Sequence, residues 1–370
     1  MDGFCAGRYQ AAMTDIPVSR GFSLRAPGRT AVGVWLLVVA AMVIAMVVVG
    51  GLTRLTGSGL SITEWDPILG AIPPLSDSVW QDAFHKYQQI PQYSDLNAGM
   101  TLDGFKAIYW WEWTHRLLGR TIGLVFFVPF VWFAWTGAIA RKEWPRMIVL
   151  FGLGGLQGAV GWWMVESGLE VRDSVSQYRL AIHLGVAVLL LGALLWTALE
   201  YLRSTDARGT KPVSVTLRAW SVALVGLIYV QMLLGALVAG LHAGLIYNNW
   251  PMMGWHWLPE GPFFNTPWWI NFFENPGLAQ FDHRMVAYAV LLIALPLAWR
   301  IRQLQPAKRA VDAAGFVFVL TITQVLLGIV TLRTHVYIPV AMLHQLTAAL
   351  LFCSAVWLAF ELRRLYALNA

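Results

Sequence analysis

Eight apolar segments, each long enough to cross a lipid bilayer, constrain this chain more than any other feature. A spanning helix needs about 20 mostly apolar residues. The sequence predicts such helices at 30–53, 121–140 (with its start near Glu112), 147–165, 180–198, 219–241, 282–299, 313–332 and 336–360. Backbone polar groups in lipid must pair within the protein, so segments of this length favour helices. We therefore expect an all-α integral membrane protein with eight transmembrane helices.

The composition agrees with a membrane protein. Charged residues make up 12% of the chain, against roughly 25% in soluble domains. The net charge of +6 does not indicate a nucleic-acid partner, because the basic residues lie between apolar segments rather than on one surface. The two cysteines, Cys5 in the N-terminal tail and Cys353 in a late apolar segment, predict no disulfide framework.

The distribution of charge predicts the orientation in the membrane. Most of the 26 Lys and Arg residues lie in the N-terminal tail and after the second, fourth, sixth and eighth segments. The positive-inside rule therefore places both termini in the cytoplasm. The two long loops, 54–111 and 242–281, then lie on the outer side.

An internal repeat divides the chain into two halves of four helices. Thr114-His115-Arg116 matches Asp282-His283-Arg284, and Ala181-Ile182-His183-Leu184 matches Met342-Leu343-His344-Gln345. Because each half has an even number of helices, the repeat is parallel, with an axis along the membrane normal. The predicted boundaries are 1–29 for a cytoplasmic tail, 30–200 for the first four-helix bundle, 201–217 for a cytoplasmic linker, 218–362 for the second bundle and 363–370 for a cytoplasmic tail.

Four histidines occupy matched positions near the outer ends of these helices. His115 and His283 are expected to start the second and sixth helices, and His183 and His344 to lie about a turn into the fourth and eighth. Ionisable residues inside a bilayer indicate function by default, and two imidazoles facing each other across a bundle are typical of a bis-histidine haem site. One alternative is that the histidines are structural and hydrogen-bonded inside the bundle. Another is that they bind zinc or copper, although no carboxylate or thiolate completes a tetrahedral set of ligands. The other four are predicted to pack in loops or at helix ends: His85, His242, His256 and His335.

Charged neighbours of these histidines suggest further roles. Arg116 and Arg284 follow the first histidine of each half and are candidates for binding haem propionates, or else interfacial arginines that extend towards water. Glu112 precedes His115 by three residues on the same helix face, whereas the matching residue is Gln280. Because an acid lies beside one histidine pair and not the other, the sequence predicts that the first half carries out chemistry. The alternative is that Glu112 is simply exposed to water.

These motifs resemble the haem A synthase family. The resemblance rests on Glu112-Trp-Thr-His115-Arg116, on the stretch from Gly50 to Pro67 (GGLTRLTGSGLSITEWDP), and on the later histidine pair. It implies oxidation of a methyl group of haem O to a formyl group, giving haem A for cytochrome c oxidase. It further implies a resident haem b on His283 and His344, a substrate haem on His115 and His183, and a catalytic Glu112. The outer loops lack the cysteine pair of one branch of the family, so the chain resembles the branch shared by mitochondria and some Gram-negative bacteria.

The resemblance also implies a location and partners. We expect a multi-pass protein of the bacterial cell inner membrane, with the mitochondrial inner membrane as the alternative. Expected partners are membrane lipid, haem O and haem A, together with haem O synthase and cytochrome c oxidase assembly factors. The electron acceptor, the oxygen source and the formation of a homo-oligomer are left open.

Two other functions fit parts of the sequence. A di-haem cytochrome b that only transfers electrons, for example from quinol, would use both histidine pairs but leaves the difference between Glu112 and Gln280 unexplained. A transporter would fit the repeat, but transporter repeats place substrate groups near the membrane midplane, whereas these histidines lie near one face.

We expect His283→Ala or His344→Ala to abolish binding of the resident haem, because each change removes one of the two axial ligands. The haem content of the purified protein, measured by absorbance, checks this. His256→Ala, in an outer loop, serves as the control and should keep full haem content. Full haem content in both helix variants would contradict the assignment.

Overall fold

The computed structural model describes residues 28–169, 173–203 and 213–367. The predicted tail up to residue 27, most of the predicted linker and the last three residues lie outside these ranges. The described ranges contain eleven α-helices and, instead of strands, one isolated β-bridge between Met253 and His256. The helices are α1 Arg29–Leu55, α2 Asp77–Tyr87, α3 Pro91–Leu96, α4 Leu102–Trp135, α5 Trp144–Glu166, α6 Gln177–Leu202, α7 Val215–Gly240, α8 Asn271–Glu274, α9 Pro276–Leu304, α10 Lys308–Arg333 and α11 Ile338–Ala367.

Eight of these helices are long and apolar enough to span a membrane, which confirms the predicted all-α fold and the number of spans in the described residues. They are α1, α4, α5, α6, α7, α9, α10 and α11. The short helices α2, α3 and α8 lie in the two long loops. The parallel repeat, the domain boundaries and the cytoplasmic termini stay predictions.

The predicted bounds of the second helix are wrong at both ends. α4 begins at Leu102, ten residues before Glu112, because the Thr101 side chain accepts a hydrogen bond from the Gly104 amide and caps the helix there. It ends at Trp135 rather than at residue 140, and Gly137 adopts a positive φ of 75° just beyond the end. Hydrophobic length marks the part of a helix that crosses lipid, not the polar turns that extend beyond it.

Four helices form the centre of the molecule. α6 packs against α1, α7 and α11, and α11 also packs against α1 and α7, while α4, α5, α9 and α10 lie outside them. The fully buried side chains at this centre are aliphatic, as in Leu36, Leu191, Leu224 and Leu358. Helices that are apolar on all sides are expected where they are covered by protein on one side and lipid on the other.

One polar contact joins the two predicted halves across this centre. Gln345 on α11 donates from Nε2 to the Val47 carbonyl of α1, at 2.8 Å. The amide passes so close to α1 that a Cβ at Gly51 would overlap it. The repeat-matched position of Gln345 is Leu184, and that of Gly51 is Ala236. Leucine has no amide to donate, so the matched residues Leu184 and Ala236 do not form an equivalent contact.

The first long loop has an apolar core of its own. Tyr87, Phe105 and Leu60 are fully buried there, and Trp80 is largely buried beside them. The Tyr87 hydroxyl, which burial gives a raised pKa, accepts a hydrogen bond from Asn97 and donates to Gln92. This part of the chain, from the end of α1 to the first turns of α4, forms a cap where α1 and α5 end and α6 begins.

At the opposite end of the helices, two glutamates in repeat-matched positions each form an ion pair with an arginine. Glu361 is 1% exposed and pairs with Arg203, while Trp357 donates its Nε1 to Glu361 at 3.1 Å. Glu200, which matches Glu361, pairs with Arg146 and accepts from Trp196 Nε1 at 3.0 Å, but this pair is far more exposed.

Arg203→Ala should lower the free energy of unfolding by about 3–5 kcal/mol, because it leaves the buried Glu361 carboxylate without its partner. Denaturant unfolding in detergent measures this. The matched variant Arg146→Ala removes a surface pair and should cost at most about 1 kcal/mol. Equal losses in the two variants would show that burial of Glu361 is not the cause.

Candidate functional site

The four matched histidines lie on four different helices towards the same ends. His115 lies on α4, His183 on α6, His283 on α9 and His344 on α11. The expectation that His115 and His283 start their helices is wrong, because α4 begins at Leu102 and α9 at Pro276. Both helices project beyond the predicted span, so these histidines lie well inside them.

The histidines form one pair in each half. His115 lies within electrostatic range of His183, and His283 within range of His344. Each imidazole is partly exposed.

Each imidazole packs against a glycine of a neighbouring helix. A Cβ atom added at these glycines would lie 3.0–3.2 Å from the ring: Gly50 of α1 against His115, Gly161 of α5 against His183, Gly235 of α7 against His283 and Gly328 of α10 against His344. All four glycines are the fifth residue before the end of their helix. A glycine at this point leaves room for the ring beside the backbone of the next helix.

Three of the histidines also have a glutamine partner one turn before that glycine. Nε2 of Gln157 lies 3.1 Å from Nδ1 and 3.3 Å from Nε2 of His183. Nε2 of Gln231 lies at the same two distances from the ring nitrogens of His283. Gln324 Nε2 lies 3.4 Å from Nε2 of His344. The sequence reasoning missed this role, although the recurring spacing Gln-x-x-x-Gly was present in the chain.

The polar atoms around the rings fit two-ligand binding of haem iron. The side-chain oxygens of the three glutamines are buried and have no hydrogen-bond partner. A histidine that coordinates a metal through one ring nitrogen usually donates its other N–H to such an acceptor. Rotation of the Gln157 or Gln324 amide by half a turn brings the oxygen to the ring, whereas Nε2 of Gln231 also donates to the His283 carbonyl at 2.9 Å. Among the described residues, no group of three or more His, Cys, Asp or Glu side chains is arranged to bind a metal, and haem iron needs only two axial ligands from the protein.

Glu112 is buried at 2% exposure, so the alternative that it is exposed to water is wrong. One carboxylate oxygen accepts from the Ser61 hydroxyl at 3.0 Å and from the Ile62 amide at 3.1 Å. The other accepts from Arg116 Nε at 3.0 Å. Ser61 and Ile62 belong to the long loop that follows α1, so Glu112 connects α4 to that loop.

Arginines in both halves bind carbonyl oxygens of the outer loops. Arg116 donates to the carbonyls of Ile62 and Glu64, and Arg120 to those of Asp66 and Pro67. In the second half Arg284 alone donates to all four matched carbonyls, which belong to Tyr247, Asn249, Pro251 and Met252. Each matched pair of carbonyls is separated by the same 185 residues, which supports the predicted repeat.

Gln280 takes the position of Glu112 in the second half but binds differently. Its Nε2 donates to the carbonyl of Ala243 at 3.0 Å, and its Oε1 accepts from Arg284 at 3.3 Å. Arg284 is buried and its described partners are all neutral, whereas Arg116 forms an ion pair with Glu112. The first site therefore contains a buried ion pair where the second has an arginine and a neutral amide.

The remaining histidines lie away from these pairs. His242 accepts a hydrogen bond from Arg54 at 2.9 Å, and burial together with the Arg54 charge lowers the pKa of His242. Arg54 also donates to the carbonyls of Ala239 and Gly240 at the end of α7. His242 therefore takes part in a contact between the end of α1 and the end of α7.

Comparison with known proteins places these features in a family. The chain matches the family described as COX15-CtaA, cytochrome oxidase assembly protein, over residues 33–356. It is 52% identical over 327 residues to the heme A synthase of Parvibaculum lavamentivorans, covering 88% of this chain and 93% of that protein. It is 47% identical over 346 residues to the heme A synthase of Bradyrhizobium sp. strain ORS 278, covering 93% and 92% of the two chains. A heme A synthase of Rhodopseudomonas palustris is 50% identical over 322 residues, covering 86% and 85%.

Gly235→Ala should weaken haem binding in the second half, because its Cβ would lie 3.2 Å from His283 and displace the ring. Overpacking of this kind costs about 1–3 kcal/mol, or roughly 5- to 150-fold in affinity. Haem titration of the purified protein measures it. Gly226→Ala on the same helix meets no atom within 4 Å and should bind haem as the wild type does; equal affinity in both variants would contradict the role of Gly235.

Proposed function

The chain belongs to the COX15-CtaA family of cytochrome oxidase assembly proteins, and we propose on this basis that it is a haem A synthase. The proposed reaction oxidises a methyl group of haem O to a formyl group and gives haem A. The observation that carries the proposal is identity of about half the residues to named heme A synthases over nearly the whole length, in a chain with two histidine pairs inside its membrane spans.

We propose that His283 and His344 bind a resident haem b. When bound, this haem supplies a one-electron redox centre. Support comes from the two glutamines, Gln231 and Gln324, which can orient both imidazoles. Further support comes from Arg284, a buried cation whose described partners are neutral. A propionate would provide the compensating negative charge for Arg284.

His115 and His183 are the proposed ligands of the substrate haem. Arg116 remains a candidate for binding a propionate of this haem, but its positive charge is already compensated by Glu112. The two arginines named as haem-binding residues therefore differ, and Arg284 is the better supported of the two.

Glu112 is the proposed catalytic residue of the first half. The Ser61 hydroxyl, the Ile62 amide and the Arg116 guanidinium all donate to its carboxylate oxygens and hold the group in place, one turn before His115. A carboxylate held near the substrate would stabilise positive charge that develops as electrons leave the ring substituent, or would take up a proton.

The eight spans make the chain a multi-pass membrane protein. We place it in the bacterial cell inner membrane, with both termini in the cytoplasm and both haem sites towards the outer side. Haem O and haem A are the proposed substrate and product. Haem O synthase and cytochrome c oxidase assembly factors are proposed as partners.

Extraction of the haems from cells that supply haem O tests the activity. The wild type should yield haem A or a hydroxylated intermediate on chromatography. Glu112→Gln, which introduces the residue of the second half, should keep the resident haem and lower product formation by about 100- to 1000-fold.

Two results would contradict these assignments. Wild-type turnover in Glu112→Gln would refute the catalytic role of Glu112. Two unmodified haems and no product from the wild type would favour the di-haem cytochrome that only transfers electrons.

A further inference from the structure

One of the four matched histidines lacks the glutamine that the other three have. The residue one turn before Gly50, the glycine against His115, is Met46. Met46 and Gly50 match Gln231 and Gly235 at the same separation of 185 residues. A methionine thus occupies the single position of the four where the hydrogen-bonding amide is missing.

The His115 ring also lies differently against its glycine. The ring atom nearest to a Cβ at Gly50 is Nε2, at 3.1 Å, whereas Cε1 is nearest at Gly161, Gly235 and Gly328. Within the described ranges, no hydrogen bond is made to either ring nitrogen of His115. Its imidazole is therefore positioned by packing alone.

An amide and a thioether have different effects on a ligating imidazole. The amide oxygen accepts the N–H of the ring nitrogen that does not bind the metal, which fixes the ring orientation and makes the imidazole a stronger ligand. A thioether sulfur is only a weak acceptor. Loss of such a partner typically lowers metal affinity by about 10- to 100-fold.

We propose that Met46 makes His115 the exchangeable ligand of the protein, so that haem in the first half is released while haem in the second half is retained. This inference rests on the proposed function, in which one haem is a substrate that must leave and the other is a cofactor that must stay. Met46 is a positioning residue here: it acts by leaving His115 without a hydrogen-bond partner.

The location of Met46 also allows a purely structural role. A Cβ at Gly119 would lie 3.4 Å from Met46 Cε, so the side chain fills space between α1 and α4. A space-filling role predicts that Met46→Leu and Met46→Gln have the same effect on the retention of haem. The proposed role predicts that only the glutamine changes it.

Transfer of haem from the protein to apomyoglobin measures retention directly. Wild type, Met46→Gln, Met46→Leu and the reverse change Gln231→Met are purified, saturated with haem b and mixed with excess apomyoglobin. The wild type should release one haem per chain rapidly and one slowly. Met46→Gln should slow the rapid phase by about 10- to 100-fold, and Gln231→Met should accelerate the slow phase by a similar factor. Met46→Leu should behave as the wild type.

The proposal is overturned if Met46→Gln leaves the rapid phase unchanged, or if Met46→Leu slows it equally. If Met46→Gln does not fold, an unchanged slow phase in Gln231→Met overturns it instead. If the wild type retains only one haem, Met46→Gln should retain a second. If this variant also retains only one, the proposal is overturned. Failure of the proposed function would look different: the release rates would respond as described, but no haem A would form in cells.

Discussion

A polar side chain within a bilayer must find its partners inside the protein, because lipid offers it none. Three of the four matched histidines meet that requirement with a glutamine of a neighbouring helix. All four lie beside a glycine that lets two helices approach. The pairing of α1 with α4, of α5 with α6, and of their counterparts in the second half thus serves both packing and the positioning of the rings.

The same requirement governs the outer ends of the helices. Loop carbonyls that would otherwise lie near the lipid boundary without partners are bound by arginines of α4 and α9. In the second half Arg284 makes all four contacts, whereas in the first half Arg116 and Arg120 share them. Arg116 is thereby available to pair with Glu112, which explains how a buried carboxylate is accommodated beside one histidine pair and not the other.

Much of this architecture could be predicted from the sequence, for a physical reason. The eight spans follow from hydrophobic length, and the four histidines stand out because ionisable residues are rare in lipid. Helix ends such as Leu102 could not be predicted, since they depend on caps outside the hydrocarbon region. The roles of Gln231 and Arg120 depend on which faces of two helices meet, which hydropathy does not specify. The bonding of Glu112 depends on how the loop at Ser61 and Ile62 folds back onto α4.

The contact of Gln345 with α1 has a consequence for how the chain could be divided. If the second half were expressed alone and paired with a copy of itself, Gln345 would meet Ala236, whose Cβ occupies the space that Gly51 leaves free. If the first half paired with its own copy, Leu184 would face Gly51 and leave the Val47 carbonyl without this donor. This contact therefore favours association of one predicted half with the other over association of either half with a copy of itself.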